Sequence, residues 1–143
     1  MSRIRATGTR PEASLERALT DLGVRVTRQF GSAKADFAVP SARLLIFVDG
    51  CFWHGCPRHY RRPVRNAEYW RWKISYNRRR DSAVRVALRD EGWEVVRVWE
   101  HSLPKRAGYF ARRIQTIVRG RTPKFVSRLP RQGAAARRSR FER

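Results

Sequence analysis

The feature that most constrains this chain is a change of character within fourteen residues, Ile46-Phe47-Val48-Asp49-Gly50-Cys51-Phe52-Trp53-His54-Gly55-Cys56-Pro57-Arg58-His59. A near-continuous apolar run, residues 43–48, leads into it, the pattern of a central strand covered on both faces. The run ends in Asp-Gly and passes directly into both cysteines, two of the three histidines and a Phe-Trp pair. From Asp49 to about Asn66 the chain is too rich in Gly, Pro and Arg for regular structure. A loop of that length is usually functional or held by a metal.

A central strand needs cover on both sides, and the flanking sequence supplies it. Thr9 can cap a helix over Pro11–Leu22, with Leu15, Ala18, Leu19 and Leu22 on one face and Gly23 as its stop. Strands are expected at Val24–Phe30 and Asp36–Val39, with Pro40-Ser41 turning the chain into residues 43–48. A long helix, Ala67–Glu91, follows the loop. Its stripe of Trp70, Ile74, Asn77, Asp81, Val84 and Leu88 falls within an arc of about 80°. That face carries Asn77 and Asp81 amid apolar residues. They bond either a neighbouring loop backbone or, in the case of Asp81, a group in the 49–59 segment. A strand at Trp93–Trp99 and a helix at Lys105–Arg119 complete the order α-β-β-β-α-β-α. The expected fold is a single α/β domain with a mixed sheet flanked by helices. Residues 1–10 read as a basic arm, 11–119 as the domain and 120–143 as an arginine-rich tail that orders on binding.

Thirty-three basic residues against twelve acids leave a net charge of +21, and only four of the basic residues are lysines. Arginine forks onto phosphate and stacks on bases, so a nucleic-acid partner with salt-dependent affinity is expected. No run approaches the roughly 18 apolar residues of a membrane span, and the N-terminus lacks the apolar core of a secretory signal. The expected compartment is a reducing cytoplasm, with the protein associated with the nucleoid. There, two cysteines beside histidines read as metal ligands before disulfide partners.

Cys51, Cys56 and His59 have C-x4-C-x2-H spacing, and His101, at the end of the last strand, offers a fourth ligand. Such a Cys2His2 set suits a tetrahedral structural zinc. On spacing alone, His54 competes for the fourth place. Asp36 begins one strand and Asp49 ends the next, so a hairpin brings both to one sheet edge. Oxygen ligands there suit Mg²⁺ with several waters retained. With His54 to move a proton, this is the equipment of phosphodiester hydrolysis. Phe52, Trp53 and Trp70 either pack in the core, stack on bases or wedge between base steps.

Asp36-Phe37, the 46–57 run, Tyr69-Trp70-Arg71-Trp72-Lys73-Ile74, Asn77, Arg80-Asp81, Gly92-Trp93-Glu94-Val95 and Trp99-Glu100 together resemble the very short patch repair endonucleases over roughly residues 3–105. The resemblance implies a restriction-endonuclease-like fold and a monomer that nicks one strand of duplex DNA beside a T:G mismatch. It implies that Asp36 and the Val48 backbone carbonyl bind Mg²⁺, that His54 assists the attacking water, and that Glu16 and Asp81 support the site. Phe52, Trp53 and Trp70 would be the intercalating wedge, and Cys51, Cys56, His59 and His101 the zinc ligands. The chain departs from the pattern at Ala35, where Pro is frequent, and at Asp49, where the best-known members carry His. An Asp at 49 either binds the catalytic metal or pairs with His54. Two other functions remain open to such a sequence: a nuclease of other mismatch or defence specificity, and a non-catalytic zinc-bound DNA binder.

Overall fold

The computed structural model describes residues 8–126; residues 1–7 of the basic arm and the part of the tail beyond 126 lie outside the described residues. Helix α1 spans Arg10–Asp21, with the Thr9 hydroxyl accepting from the Glu12 N–H and Pro11 in the first turn. Capping of this kind satisfies one of the orphan donors at a helix start. Strands β1 (Thr27–Phe30), β2 (Ala35–Val39) and β3 (Leu44–Asp49) follow, then helix α2 (Ala67–Asp90), strand β4 (Glu94–Trp99) and helix α3 (Ala107–Val126). The sheet order is β1-β2-β3-β4. The first three strands form an antiparallel meander, and β3 pairs with β4 in parallel, with α2 in the crossover. This is the mixed, helix-flanked sheet expected from the sequence.

Alternation along the strands sorts residues to the two faces. Leu44 and Ile46, with Phe37 and Val98, pack on Leu15 and Leu19 of α1 and on Ala111 and Ile114 of α3. Leu45 and Phe47, with Ala38 and Val95, face Leu88 of α2. Full burial of each such aliphatic side chain contributes about 1.5–3 kcal/mol, which explains why β3 carries an unbroken apolar run. The same alternation places three polar residues on the α2 side. Asp36 follows the phase of Ala38, Asp49 that of Phe47, and Arg97 that of Val95.

Two boundaries differ by more than two residues from those read in the sequence. Strand β1 starts at Thr27 rather than Val24, because the Val24 N–H donates to the Leu19 carbonyl (2.9 Å) and its side chain is buried in the core, closing α1. Helix α3 runs past Gly120, beyond the predicted end at Arg119. Glycine costs only about 1 kcal/mol in a helix, and Arg121 is anchored by bonds to the carbonyls of Ala42 (2.8 Å) and Gly92 (2.9 Å).

Candidate active site and metal cluster

Because β3 and β4 run in parallel, their C-terminal ends lie side by side, and the chemistry-bearing residues gather beyond them. Cys51 follows β3 and His101 follows β4. The loop after Cys51 folds back on itself through Cys56 N–H to Cys51 carbonyl (2.9 Å) and His54 N–H to Gly50 carbonyl (3.2 Å). The result brings one ligand atom each from Cys51, Cys56, His59 and His101 within 4.8 Å of one another. The His101 Nδ1 is 3.3 Å from Cys51 Sγ and 3.5 Å from Cys56 Sγ, and His59 Nδ1 is 3.8 Å from Cys56 Sγ. A tetrahedral ion with the usual zinc–sulfur and zinc–nitrogen bonds sets S···N edges of about 3.6 Å. The four residues therefore fit such an ion. Burial pushes the Cys51 thiol up to about 11, reinforced by Cys56 and Glu100 and opposed by a His101 backbone bond. A bound cation reverses that logic. His54 does not join this group; its ring meets Asp81 instead.

A cleft of about 680 Å³ is lined by Glu12, Asp36, Val48, Asp49, His54, Asp81 and Arg97, among others. His54 Nδ1 is 2.5 Å from Asp81 Oδ2. The Arg97 fork takes both oxygens of Asp49, at 2.7 and 2.9 Å, and reaches Asp81 Oδ1 at 3.5 Å. The remaining His54 nitrogen, Nε2, is 3.8 Å from Asp49 Oδ1, which closes a ring of four side chains. Burial pulls the His54 pKa down, but the Asp81 bond and the charges of Asp49 and Asp81 outweigh it and leave it raised. Asp36 accepts the Val48 N–H at 2.7 Å. Burial pushes its carboxyl up to about 6, with Glu12 and Asp49 adding to the shift and the Val48 bond opposing it. An acid whose ionisation is opposed by burial and by neighbouring acids fits a hard cation bound beside it.

Helix α2 holds the loop in place. The Asn77 side chain donates to the Trp53 carbonyl (2.9 Å), and Arg78 donates to the Gly55 carbonyl. Both options for the polar stripe are thus realised: Asn77 bonds loop backbone and Asp81 bonds the His54 ring. Gly55 sits at φ +62°, and a Cβ there would meet Ile74 at 2.7 Å, so the loop can pass this close to α2 only as glycine. Phe52, Trp53 and Trp70 pack edge-on against one another, with centroids 5.1 to 5.9 Å apart. Trp53 is 42% exposed.

Two of the acids stand differently from the sequence reading. Glu16 does not line the cleft; it pairs with Arg28 of β1. The acid of α1 that enters the cleft is Glu12, buried beside Asp36. Its signal was present in the sequence, since Glu12 shares the stripe of Leu15 and Leu19 at helical spacing. Asp49 is engaged by Arg97 rather than by His54 alone. Arg97 was missed, although an arginine inside Val95-Val96-Arg97-Val98, in phase with the buried Val95, is itself an anomaly.

A small α/β domain with a histidine and carboxylates in one cleft, beside a Cys/His group able to hold a metal ion, has the equipment of a hydrolase. A family model described as DNA mismatch endonuclease Vsr matches residues 1–60. The type II nicking enzyme V.NaeI of Lentzea aerocolonigenes is 42% identical over 104 residues, covering 68% of this chain and 63% of that protein. The type II nicking enzyme V.NmeDIP of Neisseria meningitidis serogroup C is 38% identical over 116 residues, 78% of each chain. The DNA mismatch endonuclease Vsr of Escherichia coli (strain K12) is 36% identical over 109 residues, 72% of this chain and 70% of that one. The chain belongs to the Vsr family of DNA mismatch endonucleases.

Proposed function

We propose that this protein is a Mg²⁺-dependent, zinc-stabilised endonuclease that nicks one strand of duplex DNA at a T:G mismatch. The observation that carries the reading is the ring of His54, Asp81, Arg97 and Asp49 set beside Asp36 in one cleft. A non-catalytic DNA binder has no use for carboxylates that repel phosphate. Asp36 and the Val48 carbonyl would hold the magnesium, with Glu12 taking the supporting place first given to Glu16. When bound, the ion stabilises charge on the phosphate and on the leaving oxygen.

The chain's own residues do the rest. With its Nδ1–H donated to Asp81, His54 would leave Nε2, which lies beyond hydrogen-bond reach of Asp49 at 3.8 Å, to take a proton from the attacking water. Asp81 orients the ring and stabilises its charged form. Arg97 fixes both carboxylates that flank His54, as a positioning residue. Phe52, Trp53 and Trp70 would enter the base stack, where a mispair makes unstacking cheapest. The soft Cys51, Cys56, His59 and His101 set favours zinc over a hard cation, and it tethers the loop that carries His54 and two of the wedge residues, Phe52 and Trp53. A single mismatch has no two-fold symmetry, which supports action as a monomer. Among the described residues no helix is long and apolar enough to cross a membrane, and a DNA substrate supports a cytoplasmic, nucleoid-associated enzyme.

The test is a strand-resolved assay on labelled duplexes carrying T:G, T:A or C:G at one position, with and without Mg²⁺. The expected result is a Mg²⁺-dependent nick in the T strand of T:G alone, leaving a 3′-hydroxyl and a 5′-phosphate. Equal cutting of all three duplexes would remove the mismatch specificity while keeping the nuclease.

A further inference from the structure

The outer face of α2 carries a second group of aromatics that the proposed mechanism does not use. Tyr69, Trp72 and Tyr76 are 52%, 59% and 47% exposed. At helical spacing they fall, with Lys73, Arg79 and Arg80, within an arc of about 120°, centred about 120° round the helix from the stripe that packs on the sheet. Trp72 and Tyr76 are stacked, with centroids 5.6 Å apart and planes 22° from parallel. Tyr69 lies 6.2 Å from Trp72. Isolated exposed aromatics are ordinary, but a contiguous ladder of three marks an interaction surface.

The surroundings specify the occupant. Residues 65–80 carry six basic residues and one acid, Glu68. The Lys73 ammonium lies 5.4 Å over the Tyr76 ring. Flat rings set among cations match a strand whose bases are free to stack and whose backbone is anionic. Bases within an intact duplex already stack on each other and offer no free face. The ladder is also continuous with the wedge and with the cleft. Tyr69 packs on Trp70 at 5.2 Å, and Arg80 lines the cleft itself.

We infer that Tyr69, Trp72 and Tyr76, with Lys73, Arg79 and Arg80, form a stacking platform for single-stranded DNA. Its natural occupant is the unpaired strand end that a nick beside an opened base step releases. Binding of single strands requires no cleavage, so the platform can be tested whether or not the nicking specificity proposed above holds.

The experiment measures binding of the full chain, without Mg²⁺, to a labelled 15-nucleotide single strand and to the blunt duplex of the same sequence. In the double variant Trp72→Ala/Tyr76→Ala, single-strand affinity is expected to fall by about tenfold or more, with duplex affinity changed less than about twofold. The variant Trp72→Phe/Tyr76→Phe, which keeps flat rings, is expected to retain most single-strand binding and controls for folding. Unchanged single-strand affinity in the alanine variant overturns the inference, as does an equal loss on both DNAs. So does a wild-type dimer at micromolar concentration that the alanine variant converts to monomer with single-strand binding intact, since the face would then serve a second copy of the chain.

Discussion

The two polar centres at the ends of β3 and β4 share one loop yet are built on different principles. The Cys/His cluster draws all four ligands from two short segments, residues 51–59 and His101. The cleft draws its groups from α1, β2, β3, the loop, α2 and β4. On the proposed reading the cluster is a clamp, closed by the chain itself. The cleft is held partly by forked and paired charges and partly by burial of groups that would prefer to be apart. Breaking the clamp should therefore damage fold and activity together, whereas breaking the cleft should damage activity and spare the fold.

The largest effect is expected from Cys56→Ser. Cys56 is almost fully buried, and loss of one thiolate from a tetrahedral set should release the metal. Ligand-bound metal contributes directly to folding free energy, on the order of 10 kcal/mol in small zinc domains. A lower metal content, a markedly lower melting temperature and no measurable nicking are expected in one preparation. A variant that kept full stability while losing only activity would make the cluster part of the reaction centre rather than a clamp.

Asp36→Asn should separate the two properties in the opposite way. Nicking is expected to fall by about 10³-fold, the loss of several kcal/mol of transition-state stabilisation. Stability should rise. Asp36 is pushed up to about 6 in the fold, above the roughly 3.9 of an unfolded aspartate. Between those values the folded state binds the extra proton, so ionisation at higher pH opposes folding. In magnesium-free buffer the Asn variant should melt higher than the wild type above pH 6, with the gain vanishing as the pH falls below 4. A variant less stable at pH 7 would mean that Asp36 is a structural hydrogen-bond acceptor for Val48 and little else.

The clamp was legible because cysteine and histidine announce themselves by type and spacing. The order of elements was legible for a similar reason: β3 shows an unbroken apolar run and α2 a stripe of helical period. Much of the cleft was not. Pairing between side chains from different elements depends on strand register, and a sequence does not display register. Arg97 becomes meaningful only once β4 lies parallel to β3 with Phe47 opposite Arg97 and Asp49 opposite Trp99. Asp49 was suspected of serving the metal or His54, but its fork to Arg97 waited on that pairing.

Arg97→Met should show how far the cleft depends on this pairing. The aliphatic stem keeps its place over the Phe47 ring, where the guanidinium now lies 4.6 Å from the centroid, while the fork to Asp49 and Asp81 is lost. Residues that orient catalytic groups typically matter about 10–100-fold, and a loss of that size in kcat with little change in KM is expected. Arg97→Lys should recover only part of it, because an ammonium cannot engage both oxygens of Asp49. Full activity in the Met variant would reduce Arg97 to a charge-balancing residue with no share in holding His54.

The smallest effect separates the two glutamates of α1. Glu16 and Glu12 lie one turn apart, and both face the sheet side of the helix. Glu12 is buried, accepts the Gly8 N–H at 2.8 Å and adjoins Asp36. Glu16 meets Arg28, whose side chain is 72% exposed. The bond to Arg28 holds the Glu16 carboxyl below its usual range against a small opposing effect of burial. Surface pairs of this kind contribute about 0–1 kcal/mol, so Glu16→Gln should leave nicking unchanged and barely move the melting temperature, with any loss removed by salt. Glu12→Gln should slow nicking by about tenfold or more, since it withdraws one carboxylate from the group placed to surround the cation. The reverse order, with Glu16 the sensitive position, would mean that the Arg28 pair opens on DNA and that Glu16 turns into the cleft, as its place one turn beyond Glu12 allows.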